Sequence, residues 1–102
     1  MTPSPKTNHR AIIRIVVKNK TTHINYSRRM YAIIRRYTPE AIEGGVSECY
    51  ADLTGLRTFF KMTYSELVDT IIKDLRAEIG VSFKVKVSTP LEFDAAFKNS
   101  KK

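Results

Sequence analysis

The chain has 102 residues, 42% of them hydrophobic, and a formal net charge of +8. That is enough for one globular domain with one core; no apolar run is long enough to span a bilayer, and a single Cys49 excludes an internal disulfide and fits a reducing, cytoplasmic setting. The charge is uneven: no Asp or Glu precedes Glu40, while Lys6, Arg10, Arg14, Lys18, Lys20, Arg28, Arg29, Arg35 and Arg36 all do. A basic excess of this kind favours polyanions, chiefly nucleic acid, or serves only as a solvated surface.

Residues 1–9 lack the apolar stretch of a signal peptide and read as a flexible tail, so residues 10–102 form the single domain. His9 and His23 have no neighbours that make a zinc site. The β-branched run at 11–17 predicts a strand, with Ile12, Arg14, Val16 and Lys18 on one face. A helix is predicted over about 25–37, with Tyr26, Met30, Ile33, Ile34 and Tyr37 on one stripe. Pro39 disfavours helical geometry at Thr38 and ends it. Residues 41–55 have no helical stripe, and Gly44-Gly45 signals a turn, so a hairpin is predicted with strands near 41–45 and 48–54.

Thr63-Tyr64-Ser65-Glu66 is a capping box. It opens a helix whose buried stripe is Leu67, Val68, Ile71, Ile72, Leu75 and Ile79, and Gly80 is placed to end it with positive φ. Residues 81–88 alternate, Val81, Phe83, Val85 and Val87 against Ser82, Lys84, Lys86 and Ser88, which predicts a half-buried strand with one basic face. Thr89-Pro90-Leu91-Glu92 is a second capping pattern and starts a short last helix with Leu91, Phe93, Ala96 and Phe97. The order is β-α-β-β-α-β plus a terminal helix: an α+β, ferredoxin-like antiparallel sheet with two helices on one face.

The face without helices would show Arg14, Lys18, Lys84 and Lys86, together with Glu48, Tyr50 and Asp52 from the third strand. Three readings stay open for it. Opposite charges pair across strands and do nothing more. A basic sheet with an exposed Tyr50 binds a phosphate backbone and stacks a base. A metal site needs several converging carboxylates, for which Glu48 and Asp52 are the only candidates.

Tyr37-Thr38-Pro39-Glu40 followed by Ser47-Glu48-Cys49-Tyr50-Ala51-Asp52-Leu53-Thr54-Gly55 resembles the palm domain of Y-family (translesion, polymerase IV-like) DNA polymerases. There a Tyr-Thr-Pro helix end leads into a hairpin of the form Ser-Ile-Asp-Glu-Ala-Phe-x-Asp-Leu-Thr-Gly. Residues 67–80 and 81–90 look like the family's next helix and strand, and Ala11-Ile12-Ile13-Arg14-Ile15-Val16-Val17-Lys18 falls in register with its first strand. The resemblance implies a fold of the same kind and a link to DNA repair and translesion synthesis, with metal-dependent DNA nucleotidyl transfer as the family's activity.

The matching metal-site positions depart from that pattern. Val16 and Lys18 stand where the family has two aspartates, and Ser47-Glu48 stand for its Asp-Glu pair. Leu91 and Glu92 follow Pro90, where the family has Asn and Lys, and the fingers segment after the first strand is reduced to a bridge over 18–24. Two-metal transfer needs carboxylates to hold ions about 4 Å apart, and only Glu48 remains of the matched set. The expectation is a non-catalytic palm core, either a degenerate relative or an engineered minimal scaffold. It would be a monomer that needs no cofactor and binds single-stranded or primer–template DNA weakly through Arg14, Lys18, Tyr50, Lys84 and Lys86. The alternative is a fragment of an active DNA polymerase that uses Glu48 with Mg2+.

Overall fold

A computed structural model describes residues 11–18 and 24–100. The expected tail at 1–9, and His9, Arg10, Lys20, His23, Lys101 and Lys102, lie outside the described residues. The elements run β1 (Ile12–Val17), α1 (Ser27–Ile34), β2 (Ala41–Glu43), β3 (Glu48–Asp52), α2 (Leu56–Phe60), α3 (Tyr64–Ile79), β4 (Phe83–Ser88) and α4 (Pro90–Ser100). The sheet order is β2-β3-β1-β4 and every pair is antiparallel, the α+β ferredoxin-like arrangement read from the sequence.

Alternation along β1 builds the core. Ile13, Ile15 and Val17 point to the helix side, where they meet Cys49 and Ala51 of β3, Phe83 of β4, Met30, Ile33 and Ile34 of α1, and Leu67, Ile71 and Leu75 of α3. The strand therefore carries Ile13, Ile15 and Val17 into the layer that both long helices cover.

Helix α1 starts at Ser27, later than its apolar period suggests. Asn25 Oδ1 accepts the Ser27 amide at 2.9 Å and the Ser47 amide at 2.8 Å, so Asn25 is occupied as a bracket between α1 and the hairpin. After Ile34 the chain turns into Thr38-Pro39. There the buried Thr38 hydroxyl donates to the Asp52 carbonyl (2.9 Å) and accepts from the Glu40 amide (3.0 Å), tying the helix exit to β3.

Helix α3 has both arms of its capping box, Glu66 N to Thr63 Oγ1 at 3.1 Å and Thr63 N to Glu66 Oε1 at 2.9 Å, and Gly80 ends it at φ 88°. The short α2 does not follow from the sequence pattern. Gly55 enters it at φ 84° and Lys61 leaves it at φ 58°, with no buried residue between.

Polar contacts join α1 to α3. Arg36 grips Glu78 with two bonds (2.5 and 3.0 Å) and Arg29 Nη2 donates to the Glu78 carbonyl at 3.0 Å. These are exposed and contribute little to stability. The Tyr37 hydroxyl donates to Asp74, and burial first, then this bond, pushes the Tyr37 pKa up to about 12 from 10.0. A folded pKa above the unfolded one means the neutral phenol's stabilisation is present below pH 10 and fades as pH rises towards 12. Urea unfolding between pH 8 and 12 should therefore show a steeper loss for the wild type than for Tyr37→Phe; parallel pH curves would refute it.

Two expectations need correction. Alternation puts Val87 on the core side of β4 with Phe83 and Val85, yet it is 91% exposed. An apolar hollow of about 360 Å3, lined by Tyr64, Ser65, Val68 and Asp69 of α3 and by Val85 and Val87, lies between α3 and this end of β4. The face opposite the two long helices is also not open throughout. Phe93 of α4, 3% exposed, plugs onto Ile12 and Ile42, with Tyr50 and Ala96 packed around it. No helix among the described residues is long and apolar enough to cross a membrane.

Candidate functional site

Strand register sorts the face away from α1 and α3 into three rows. Asp52, Ile12 and Ser88 form one row; Ile42, Tyr50, Arg14 and Lys86 the next; Glu48, Val16 and Lys84 the third. Helix α4 covers the first row and the Ile42–Tyr50 end of the second through Phe93. Lys84 and Lys86 stay exposed, as does Lys18 just past the end of β1. Of the five residues expected to contact nucleic acid, these three lysines are on open surface. Arg14 is partly open, and Tyr50 is half-buried beside α4 rather than a bare stacking platform.

Glu48 is the surviving member of the candidate metal set, and both its carboxylate oxygens face protein donors. Arg14 Nε lies 2.6 Å from Oε2, and the Gly45 amide donates to Oε1 at 3.0 Å. The Arg14 contact is an ion pair by distance, although the N–H is not aimed along a hydrogen-bond axis. Arg14 sits diagonally across the β1–β3 pair from Glu48, since their registered partners are Tyr50 and Val16. Arg14 reaches Glu48 because its side chain leaves the same face of the adjacent strand, one diagonal step from the registered partner Val16.

The hairpin wraps closely around this carboxylate. A Cβ on Gly45 would stand 2.8 Å from Glu48 Oε1, and one on Gly44 would stand 2.9 Å from Tyr50 Cε1 and 3.1 Å from Glu48 Cγ. The two glycines therefore serve a second purpose beyond turning the chain: they leave room for the Glu48 and Tyr50 side chains.

Ser47, in the place of the family's aspartate, is 3% exposed and holds a left-handed φ of 52°. Its hydroxyl donates to the Ile24 carbonyl (3.2 Å) and accepts from the Tyr26 amide (3.0 Å), and its carbonyl accepts from Val17 N (3.2 Å). Ser27 Oγ completes the knot, donating to Gly45 O at 2.8 Å and accepting from Glu48 N at 3.1 Å. Val16 adds a buried alkyl group.

Asp52 is the other carboxylate considered for a metal. It is four residues along β3 from Glu48, about 13 Å at 3.2–3.4 Å per residue, and its Oδ1 accepts from the Thr54 amide (3.0 Å) and hydroxyl (2.5 Å). No group of three or more His, Cys, Asp or Glu that could hold a metal occurs among the described residues. The residues at this site do not fit a pair of catalytic cations: Glu48 is already occupied, Ser47 is hydrogen-bonded into the backbone, and Val16 and Lys18 offer no anionic oxygen.

Two further groups define the local chemistry. Glu92 stands where the resemblance puts a lysine. Its carboxylate accepts from the Ser88 hydroxyl at 2.7 Å and the Thr89 amide at 3.3 Å, which together with the nearby Arg14 charge hold its pKa below the usual carboxylate value. Burial, with the charges of Glu43 and Glu48 behind it, raises the Cys49 thiol, which donates to Ser27 O at 3.3 Å; it has no thiolate character to offer a nucleophilic role. Sequence reasoning missed Asn25, Ser27 and Phe93 as determinants of this site. Only Phe93 left a signal, as the apolar residue behind a capping pattern, and that pattern does not say which layer the helix joins.

No curated protein and no solved structure matches the chain. A family profile does: that of the impB/mucB/samB family, over residues 6–90. The match runs from ahead of β1 through β4 and includes the hairpin, the Tyr-Thr-Pro helix exit, the capping-box helix and all four strands of the sheet just described. The chain belongs to the impB/mucB/samB family of Y-family DNA polymerases, as a palm-like domain.

Proposed function

We propose that this domain is a non-catalytic palm core that holds single-stranded or primer–template DNA weakly, as a monomer and without a metal. The observation that supports it is the substitution of an internal ion pair for a metal site: Arg14 lies 2.6 Å from Glu48, beside a half-face that exposes Lys84, Lys86 and Lys18. A phosphate backbone laid along this half-face meets cations that need no bridging ion. Glu48 is neutralised by Arg14, so it does not repel the strand as a bare carboxylate would.

Binding driven this way is dominated by counterion release. Three phosphate contacts on single-stranded DNA give a slope of log K against log salt of about −2. Fluorescence anisotropy with a labelled oligonucleotide should show that slope for the wild type. The double reversal Lys84→Glu/Lys86→Glu should lose at least about tenfold in affinity at low salt and flatten the slope. No binding at low salt, or binding unchanged by the reversal, would sink the proposal.

Family membership alone favours a second reading, an active polymerase fragment in which Glu48 works with Mg2+. Its signature is primer extension with magnesium or manganese that disappears in Glu48→Gln. The Arg14 and Gly45 contacts on Glu48 argue against that outcome.

A further inference from the structure

A pocket of about 720 Å3 opens at the β2 edge of the sheet, lined by Tyr31, Ala41, Ile42, Glu43, Gly44, Gly45, Tyr50 and Ala96. We propose that it takes an unpaired guanine base, stacked against Tyr31 and read by the Glu43 carboxylate. The proposal rests on the basic-face reading only for how the strand arrives: Tyr50 lies in the same cross-strand row as Arg14 and Lys86, so backbone held on that row runs to the β2 edge and can turn a base around that edge to Glu43 on the other face.

Three features of the pocket fit this ligand. Glu43 is half-buried and makes no hydrogen bond or ion pair among the described residues, whereas the other carboxylate of the hairpin, Glu48, is engaged. A half-buried carboxylate at a cavity, with no side-chain partner among the described residues, is open to accept donors from a ligand. An ionised carboxylate accepts only. Of the four DNA bases, guanine alone presents two adjacent donors, N1–H and N2–H, on its pairing edge; adenine, cytosine and thymine each place an acceptor beside their donor there.

The aromatic walls come next. Arg35 lies over the Tyr31 ring, 5.6 Å from its centroid, and its Nη1 donates to the Tyr31 hydroxyl at 2.6 Å, which holds that ring in place. Tyr50 faces the other side of the sheet from Glu43, where it packs in the Phe93 cluster and forms the far rim of the pocket. Fixed rings are the stacking surfaces that single-strand binders use.

The third feature is the strand edge. Gly44 N donates to Glu48 O at 2.8 Å and Asp52 N to Glu40 O at 2.8 Å, so residues 40, 42 and 44 bond inward to β3. The N–H and C=O groups of Ala41 and Glu43 therefore point to the outer edge. They supply further donors and acceptors beside the carboxylate.

The test titrates guanosine, inosine, adenosine and free arginine into the folded protein and follows backbone amides by NMR. Guanosine should shift the amides of Glu43, Gly44, Gly45 and Ala96. Inosine, which lacks the N2 amine, should bind at least about fivefold more weakly, and adenosine should leave these amides unmoved. A second measurement compares oligothymidylates carrying one central dG, dI, dC or dA. The dG strand should bind about tenfold tighter than the others. Glu43→Gln should abolish that preference while the salt-dependent affinity remains.

Equal affinity for all four strands, with no pocket shifts from guanosine, overturns the guanine site and leaves the basic face standing. Pocket shifts from guanosine with no oligonucleotide binding establish the site and remove the basic face. Shifts from arginine but not guanosine overturn the proposal in favour of a guanidinium ligand, as does a dG preference that survives Glu43→Gln.

Discussion

Ile15→Ala is expected to lower the unfolding free energy by about 2–5 kcal/mol, the range for emptying a buried aliphatic site. Ile15 is 0% exposed at the middle of the central strand, registered with Cys49 on one side and Val85 on the other. Its neighbours are held by two strands and two helices, so the space it leaves cannot collapse easily. Against a total of about 5–15 kcal/mol for a domain, the variant should be marginal or unfolded at room temperature. Urea denaturation monitored by circular dichroism reads this directly. Val87→Ala, on the same sheet but 91% exposed, should change stability by no more than about 0.5 kcal/mol. A loss under 1 kcal/mol at Ile15, or equal losses at both positions, would refute the assignment of the core.

Phe93→Ala should act locally and strongly. Phe93 is the only side chain of α4 among those described that is fully buried; Leu91 is 80% exposed and Phe97 42% exposed. Removing a buried phenylalanine costs about 3–5 kcal/mol, and every 1.4 kcal/mol is a factor of ten in an equilibrium. The opening equilibrium of α4 should therefore rise by about two decades or more. Amide exchange over 91–98 should accelerate by that factor while α1 and α3 keep their protection. Uniform acceleration over all helices would show that α4 is integral to the fold instead of a docked cover. In the localised case Ile12, Ile42 and Tyr50 become accessible, and the cationic row through Arg14 lengthens towards β2.

What could be read from the chain alone divides by the range of the interactions. The capping boxes at Thr63–Glu66 and Thr89–Glu92 were legible because cap and amide lie within three residues. The strands, the antiparallel ferredoxin-like arrangement and the helix stripes were legible because period and topology rules are general. The family was legible from a contiguous motif. Val87 was misplaced because alternation reports which face a residue takes, and not how far the helix layer above it extends. The Phe93 plug was missed for a related reason: a helix after the last strand can dock on either face. The Arg14–Glu48 pair depends on the diagonal offset between β1 and β3, a register between strands more than 30 residues apart that no local pattern fixes. The α2 helix is too short for any periodic signal and rests on left-handed residues at both ends.

The position of β1 has a consequence for how the chain acquires its structure. Ile12 pairs with Asp52 on one side and with Ser88 on the other. The first strand made is therefore the last to be flanked on both sides. The β2–β3 hairpin and the capped α3 close through short-range contacts, whereas β1 must hold its outer edge bare until nearly the whole domain has been synthesised. Non-local closure of this kind slows folding and leaves an apolar strand edge exposed meanwhile. A chain cut between α3 and Phe83 would keep β1, the β2–β3 hairpin and the capped α3 and still leave β1 bare along one edge.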